Sequence, residues 1–223
     1  MRLKRKAAAL AAGVAVALAP PLAGTAQAGG PTCQGRPAEF VVVAVWFGTP
    51  GPDVVLASAA IVNQIWSGDG DDVICVFNPL PALDGVEVYA GEGDDSIETY
   101  SGHNEIYAEA GDDRVVLAGS GEFVVADDGD DQVWAKNAGP MYAGGGDGND
   151  LLQGGWDEDV LVGGDGNDLL YGLDEDDIMQ GGNGIDRLFG GDGNDDLWGQ
   201  AGPDRCVDAL GTVFTDCEIV EIA

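Results

Sequence analysis

Residues 163–171 read GGDGNDLLY and residues 190–198 read GGDGNDDLW, with GLDEDDIMQ (172–180) and GGNGIDRLF (181–189) between them. Glycine has more conformational freedom to lose on folding than any other residue, and aspartate is disfavoured inside helices and strands alike. A chain that repeats both in fixed phase needs a stabilising contribution beyond its own side chains. From Gly145 the sequence divides without a gap into seven nine-residue blocks: GGDGNDLLQ, GGWDEDVLV, GGDGNDLLY, GLDEDDIMQ, GGNGIDRLF, GGDGNDDLW and GQAGPDRCV, ending at Val207. The sixth position is aspartate in every block, and the eighth is Leu, Leu, Leu, Met, Leu, Leu and Cys.

The register continues upstream in weaker form. Blocks 90–98 (AGEGDDSIE), 108–116 (AEAGDDRVV) and 126–134 (ADDGDDQVW) keep an acidic turn at a spacing of 18 residues. The blocks between them, TYSGHNEIY, LAGSGEFVV and AKNAGPMYA, lack it but place Ile106, Val124 and Tyr142 at position eight. Further back, 48–56 (GTPGPDVVL) and 67–75 (SGDGDDVIC) fit, with short insertions between them. A turn of six residues followed by a strand of three makes two blocks one 18-residue coil, with alternate turns stacking on the same side. One side then carries glycine at position four as Gly51, Gly70, Gly93, Gly111, Gly129, Gly148, Gly166, Gly184 and Gly202. The same side carries aspartate at position six as Asp53, Asp72, Asp95, Asp113, Asp131, Asp150, Asp168, Asp186 and Asp204. The opposite side becomes acidic only late, at Asp159, Asp177 and Asp195, with Gly193 at position four and Asp157 and Glu175 replacing glycine in the two turns before it. The expected fold is all-β: a right-handed parallel β-roll or β-helix, its position-eight residues filling a thin core between two parallel sheets.

The G-G-x-G-x-D-x-U-x pattern of residues 145–207 resembles the RTX, or haemolysin-type, calcium-binding nonapeptide repeat. The resemblance implies that the position-six aspartates and the turn carbonyls named above hold calcium between same-side turns. Electrostatics points the same way. Strands in adjacent coils lie about 4.8 Å apart, and ionised carboxylates at that spacing repel by roughly 3 kcal/mol per pair at an effective dielectric of ~20. Summed along a column, this exceeds the ~5–15 kcal/mol net stability of an ordinary domain. Calcium accepts six to eight hard oxygen ligands in flexible geometry, whereas magnesium demands tighter geometry and keeps its waters. Counting gaps in the two columns gives roughly eight to ten ions. Asp94, Asp112, Asp165 and Asp192, at positions five and three, are expected to remain in solvent. Ordinary Asp-Gly turns would explain the glycines but not the stacked charge.

The N-terminus has a different character. Arg2, Lys4, Arg5 and Lys6 precede an apolar run at 7–19, and Ala26-Gln27-Ala28 offers a small-x-small cleavage site, so residues 1–28 read as a secretory signal peptide. Four of the nine basic residues lie there, leaving five against 40 acidic ones in a secreted mature chain. Such a surface repels nucleic acid and anionic lipid, and neither nucleic-acid binding nor membrane insertion is expected. A hydrophobic content of 45% separates the chain from disordered acidic segments. Cys33, Cys75, Cys206 and Cys217 form an even set in an exported chain, and proximity pairs Cys206 with Cys217 and Cys33 with Cys75. With no C-x-x-C and a single histidine, zinc is not expected.

The expected organisation is an N-terminal cap at 29–47, a degenerate roll at 48–143, a regular roll at 144–207 and a C-terminal cap at 208–223. The segments outside the array are too short for a catalytic domain, and GxSxG, HExxH and nucleotide-loop motifs are absent. The reading is a non-enzymatic calcium-binding protein that folds on calcium outside the cell, with a structural, adhesive or calcium-sequestering role. Its partners are calcium ions and cell-wall or surface polysaccharide. The alternative is a polysaccharide-active β-helix enzyme of lyase or epimerase type, using the less acidic face with His103, Asn104, Tyr107, Arg114 and Lys136.

Overall fold

The three residues that close each block hold one apolar side chain between two mixed ones, so in extended form they bury the middle residue and expose its neighbours. The computed structural model describes residues 32–37, 39–41, 45–58, 64–77, 85–100, 102–136, 139–208, 213–217 and 219–222; the segment read as a signal peptide lies outside them. Among the described residues there is no helix, and every long-range strand pairing is parallel. Two sheets run the length of the array. One has ten strands, from Val45–Phe47 to Val213–Thr215; the other has eleven, from Glu39–Val41 to Ile219–Ile222. The chain alternates between them, and the result is a β-solenoid of about eight turns with ~18 residues per coil. The segments expected as caps contribute the outermost strands of both sheets.

In-register stacking repeats each side chain one coil further on. Leu152, Leu170, Leu188 and Cys206 form one inward row, and Leu161, Met179 and Leu197 the facing one, all fully buried. Upstream the rows continue as Val55, Ile74, Ile97, Val115 and Val133, and as Ile65, Val88, Ile106 and Val124. Tyr142 is an exception to the sequence reading. It pairs with Phe123 and Val160 and faces outward, stacked on Phe123, while Ala143 takes the inward place. The chain advances 19 residues rather than 18 from Ala126 to Gly145, and the block assigned to 135–143 lies one residue out of phase.

Outward-facing rings also stack on their copies: Trp66 on Tyr89 at 3.9 Å, Tyr89 on Tyr107 at 5.0 Å, and Tyr171 on Phe189 at 5.0 Å. Both disulfides pair as the sequence suggested. Cys206 leaves the inward row to bond Cys217 in the tail. Cys75 lies on the outer face of the eleven-stranded sheet and holds the hairpin of Thr32–Cys33 and Arg36–Pro37 over Leu56 and Val73.

The turns explain the glycine at position four. Gly129 has φ +152°, and a Cβ there would run into the carbonyl oxygen of Gly111 one coil earlier. The same double constraint holds at Gly111, Gly148, Gly166 and Gly184. Gly144, on a strand, lacks it: a Cβ there would meet nothing closer than 3.7 Å. Gly129→Ala is expected to destabilise the folded protein by at least ~2 kcal/mol, and Gly144→Ala to leave it unchanged or stabilise it by up to about 1 kcal/mol. Paired thermal unfolding of the two variants checks this.

Candidate metal centres

The position-six peptide N–H lies inside the turn, out of reach of both strand ladders, and needs an acceptor. The aspartate of the next coil supplies one. Asp53 N–H donates to Asp72 Oδ1 at 2.7 Å, Asp72 to Asp95 at 2.7 Å, Asp95 to Asp113 at 2.7 Å, and Asp113 to Asp131 at 2.8 Å. The ladder continues from Asp131 to Asp150, Asp168, Asp186 and Asp204 at 2.8–2.9 Å. On the opposite side, Met141 N–H donates to Asp159 Oδ1, Asp159 to Asp177, and Asp177 to Asp195, at 2.8–2.9 Å. The structure thus brings the sequence-selected aspartates into two continuous columns.

Each of these carboxylates uses one oxygen in the ladder, and the fate of the other is unusual. Oδ2 of Asp72, Asp95, Asp113, Asp131, Asp150, Asp168, Asp177, Asp186, Asp195 and Asp204 is buried and accepts no hydrogen bond. These residues are at most 2% exposed. A buried anion in this condition is costly unless a cation lies against it. The regular turns leave a space for one. A methyl group at Gly145 would run into Asp150 Oδ2 and lie 2.7 Å from the carbonyl oxygen of Gly163 in the next coil. Gly163 stands likewise between Asp168 Oδ2 and the Gly181 carbonyl, and Gly181 between Asp186 Oδ2 and the Gly199 carbonyl. Carboxylate and carbonyl oxygens, without nitrogen or sulfur, are the donor set of a hard divalent cation.

Burial pushes the carboxyls of Asp72, Asp95, Asp113, Asp131, Asp150, Asp168, Asp177, Asp186 and Asp195 up, against the lowering effect of the N–H each accepts, and neighbouring aspartates raise them further. Asp131, Asp168 and Asp195 reach about 6, Asp95 and Asp150 about 7, and Asp113 and Asp177 about 8.

Two members of the columns differ. Asp53 is only partly buried, and its Oδ2 accepts the Thr49 N–H at 2.7 Å. Asp159 accepts the Gly155 N–H on Oδ2 at 2.6 Å, so both of its oxygens are used. At position one the main column has Gly48, then Ser67, Ala90, Ala108 and Ala126, and then glycine from Gly145 onward; the serine and alanine side chains are fully buried. There a real Cβ stands in the place that later turns leave open.

The upstream half of the opposite column is self-contained. Glu122 is 1% exposed, accepts the Asn104 N–H on Oε2 at 3.0 Å, and accepts Thr99 Oγ1 and Asn104 Nδ2 on Oε1. Burial nevertheless pushes its carboxyl up to about 7. Asn104 in turn accepts the Val86 N–H. Glu122 was not singled out from the sequence, although its place at position six of LAGSGEFVV marks it. Asp94 and Asp112 are exposed as expected, but they form a second ladder running the opposite way, accepting the N–H groups of Asp112 and Asp130. Asp165 and Asp192 are exposed as well.

Of the residues of the alternative enzymatic reading, Arg114 and Lys136 line one shallow outer groove with Trp134 and Gln153, and the others are not gathered there. Asn104 is buried within the coil, Tyr107 faces outward on the ten-stranded sheet, and Arg114 faces outward on the eleven-stranded one.

The family comparison agrees with the repeat pattern. The chain carries RTX calcium-binding nonapeptide repeats. The family model matches in four copies, over residues 89–121, 145–170 and 171–206. No curated protein matches the chain. The matched residues include the alanine-type turns at Ala90 and Ala108 and leave out 122–144, where the coil carries its extra residue. Among the described residues no helix is long and apolar enough to cross a membrane.

The RTX columns carry a testable pH dependence. Without metal, the folded state retains protons that the unfolded chain, with ordinary aspartate values near 4, has released. Stability of the metal-free fold is therefore fullest below about pH 4 and is lost as pH rises through about 6–8. In chelator, the melting midpoint should fall steadily between about pH 5 and pH 8. Under limiting calcium the dependence reverses, because protons compete for the same oxygens. Melting curves with and without chelator across this range measure both.

Proposed function

We propose that this calcium-binding repeat protein is exported and becomes an ordered rod outside the cell by taking calcium into its aspartate columns. The observation that carries the reading is the set of ten buried carboxylate oxygens with no hydrogen-bond partner. In the main column the ligands are the carboxylates of Asp72, Asp95, Asp113, Asp131, Asp150, Asp168, Asp186 and Asp204, and in the opposite column those of Asp177 and Asp195. Carbonyl oxygens of the glycine turns complete each site. The gaps between Gly145 and Asp204 are the primary ones, since glycine at position one leaves the space that alanine fills upstream. Calcium supplies the positive charge that each pair of stacked turns lacks, and binding free energy becomes folding free energy. Two disulfides and a strongly acidic surface support an extracellular setting.

Asp168→Asn tests the role of the column. Asparagine can still accept the Asp150 N–H, so the ladder survives while one buried charge is removed. The variant should melt at a higher temperature than wild type in chelator and at a lower one in calcium. A shift of the same sign under both conditions would mean that the aspartate is structural only.

The biological role that fits such a rod is a structural or adhesive element at the cell surface, with calcium bridging its acidic face to anionic polysaccharide. Cell-wall material should retain the protein in calcium and release it in chelator. Retention independent of calcium would argue against this role.

A further inference from the structure

The opposite column does not end at Asp195. Position one of its turns is glycine at Gly154, Gly172 and Gly190. A Cβ at Gly154 would lie 2.7 Å from the carbonyl oxygen of Gly172, and one at Gly172 would lie 2.6 Å from that of Gly190. Each would also run into the position-six carboxylate of its own turn, Asp159 or Asp177. One coil further on, the corresponding residue is Asp208. It closes the strand Arg205–Asp208, paired with the tail strand Ile219–Ile222. Its side chain turns inward: it is 2% exposed, and Oδ1 accepts the Gly191 N–H at 2.8 Å. A Cβ at Gly190 would lie 2.6 Å from Asp208 Oδ1 and would run into Asp195 Oδ2. Both oxygens thus border one small space. Asp195 is fully buried, and its Oδ2 accepts no hydrogen bond.

We infer that Asp195 and Asp208 form a terminal divalent-cation site, taking calcium, in which Asp208 supplies a carboxylate where earlier turns supply only a main-chain carbonyl. The inference rests on the reading of the aspartate columns as calcium sites. The donor set is hard oxygen throughout, and two carboxylates give this gap more charge than an interior turn can offer at position one. The main column ends differently. A Cβ at Gly199 would lie 2.5 Å from the Asp216 carbonyl oxygen and 2.7 Å from Asp204 Oδ2, so its last gap is closed by a backbone carbonyl of the disulfide-tethered tail. Asp216 itself is exposed, and its side chain serves as a control.

The test is to count calcium ions on the full chain by native mass spectrometry, at the lowest calcium concentration that saturates wild type. Asp208→Asn keeps an acceptor for the Gly191 N–H and removes the charge. Gly190→Ala places a methyl in the space between the two carboxylates, at a position where Ala90, Ala108 and Ala126 show that the coil tolerates one. Both variants should bind one ion fewer than wild type, and Asp216→Asn should match it. Should Asp208→Asn fail to fold, Gly190→Ala alone decides the matter. If the variants bind as many ions as wild type, the terminal site is overturned and the aspartate columns stand. If wild type binds no calcium, the terminal site and the column reading fall together.

Discussion

A parallel, in-register coil places every side chain against its own repeat, and the rest of the structure follows from that constraint. Apolar residues gain, because leucine stacks on leucine inside and tyrosine on tyrosine outside. Amides gain too: Asn167 donates its Nδ2 and its peptide N–H to Asn149 Oδ1 at 2.9 and 3.0 Å. Carboxylates lose, since each meets its copy about 4.8 Å away. The aspartates of position six are nonetheless the most regular feature of the chain. In ten of them one oxygen caps an otherwise orphaned peptide N–H of the neighbouring coil while the other is buried without a partner, the place where the proposed calcium would lie.

The two halves of the array meet this constraint differently. Upstream of Ala135 the inward rows are rich in valine and isoleucine, the outer face carries stacked rings, and a disulfide holds a hairpin across the sheet. After Gly48, position one of the main column is serine or alanine, and Glu122 satisfies its carboxylate with Thr99 and Asn104. Downstream, position one is glycine and the second column is acidic, so there is more buried charge and less side-chain contact to offset it. On the proposed reading, the free-energy contribution of calcium is largest in the C-terminal half, where the chain itself offers least.

Much of this was legible in the sequence, because a repeat shows its stacking directly. Once 18 residues are known to make a coil, the identity of each column can be read off the sequence, and both the aspartate columns and most of the inward rows follow. What the repeat hides is phase and orientation. A single added residue between Ala126 and Gly145 exchanged the roles of Tyr142 and Ala143, since a period of two reverses the facing of every later side chain until the register is restored. Asp159 matches the motif like its neighbours, yet its own turn has Asp157 where glycine would sit, and the Gly155 N–H donates to its second oxygen. The opposed ladders of positions five and six were equally invisible, because spacing alone does not reveal which coil donates.

That polarity bears on how such a rod must end. At position six the carboxylate of each coil caps the N–H of the coil before it, so every turn depends on its C-terminal neighbour for an acceptor. The last coil has no such neighbour, and something outside the repeat has to replace it. The tail is fixed for that purpose in two ways: Cys217 is bonded to Cys206 in the inward row, and the strands Val213–Thr215 and Ile219–Ile222 extend both sheets by one rung. In this arrangement the Asp216 carbonyl and the Asp208 side chain reach the two terminal turns from opposite ends of the same short segment. Loop-closure entropy grows only with the logarithm of loop length, so this 11-residue disulfide constrains the unfolded chain somewhat less than the one spanning 42 residues. Its further contribution is positional: it holds the Asp216 carbonyl and the Asp208 side chain over the two terminal turns, where the proposed sites need oxygen donors.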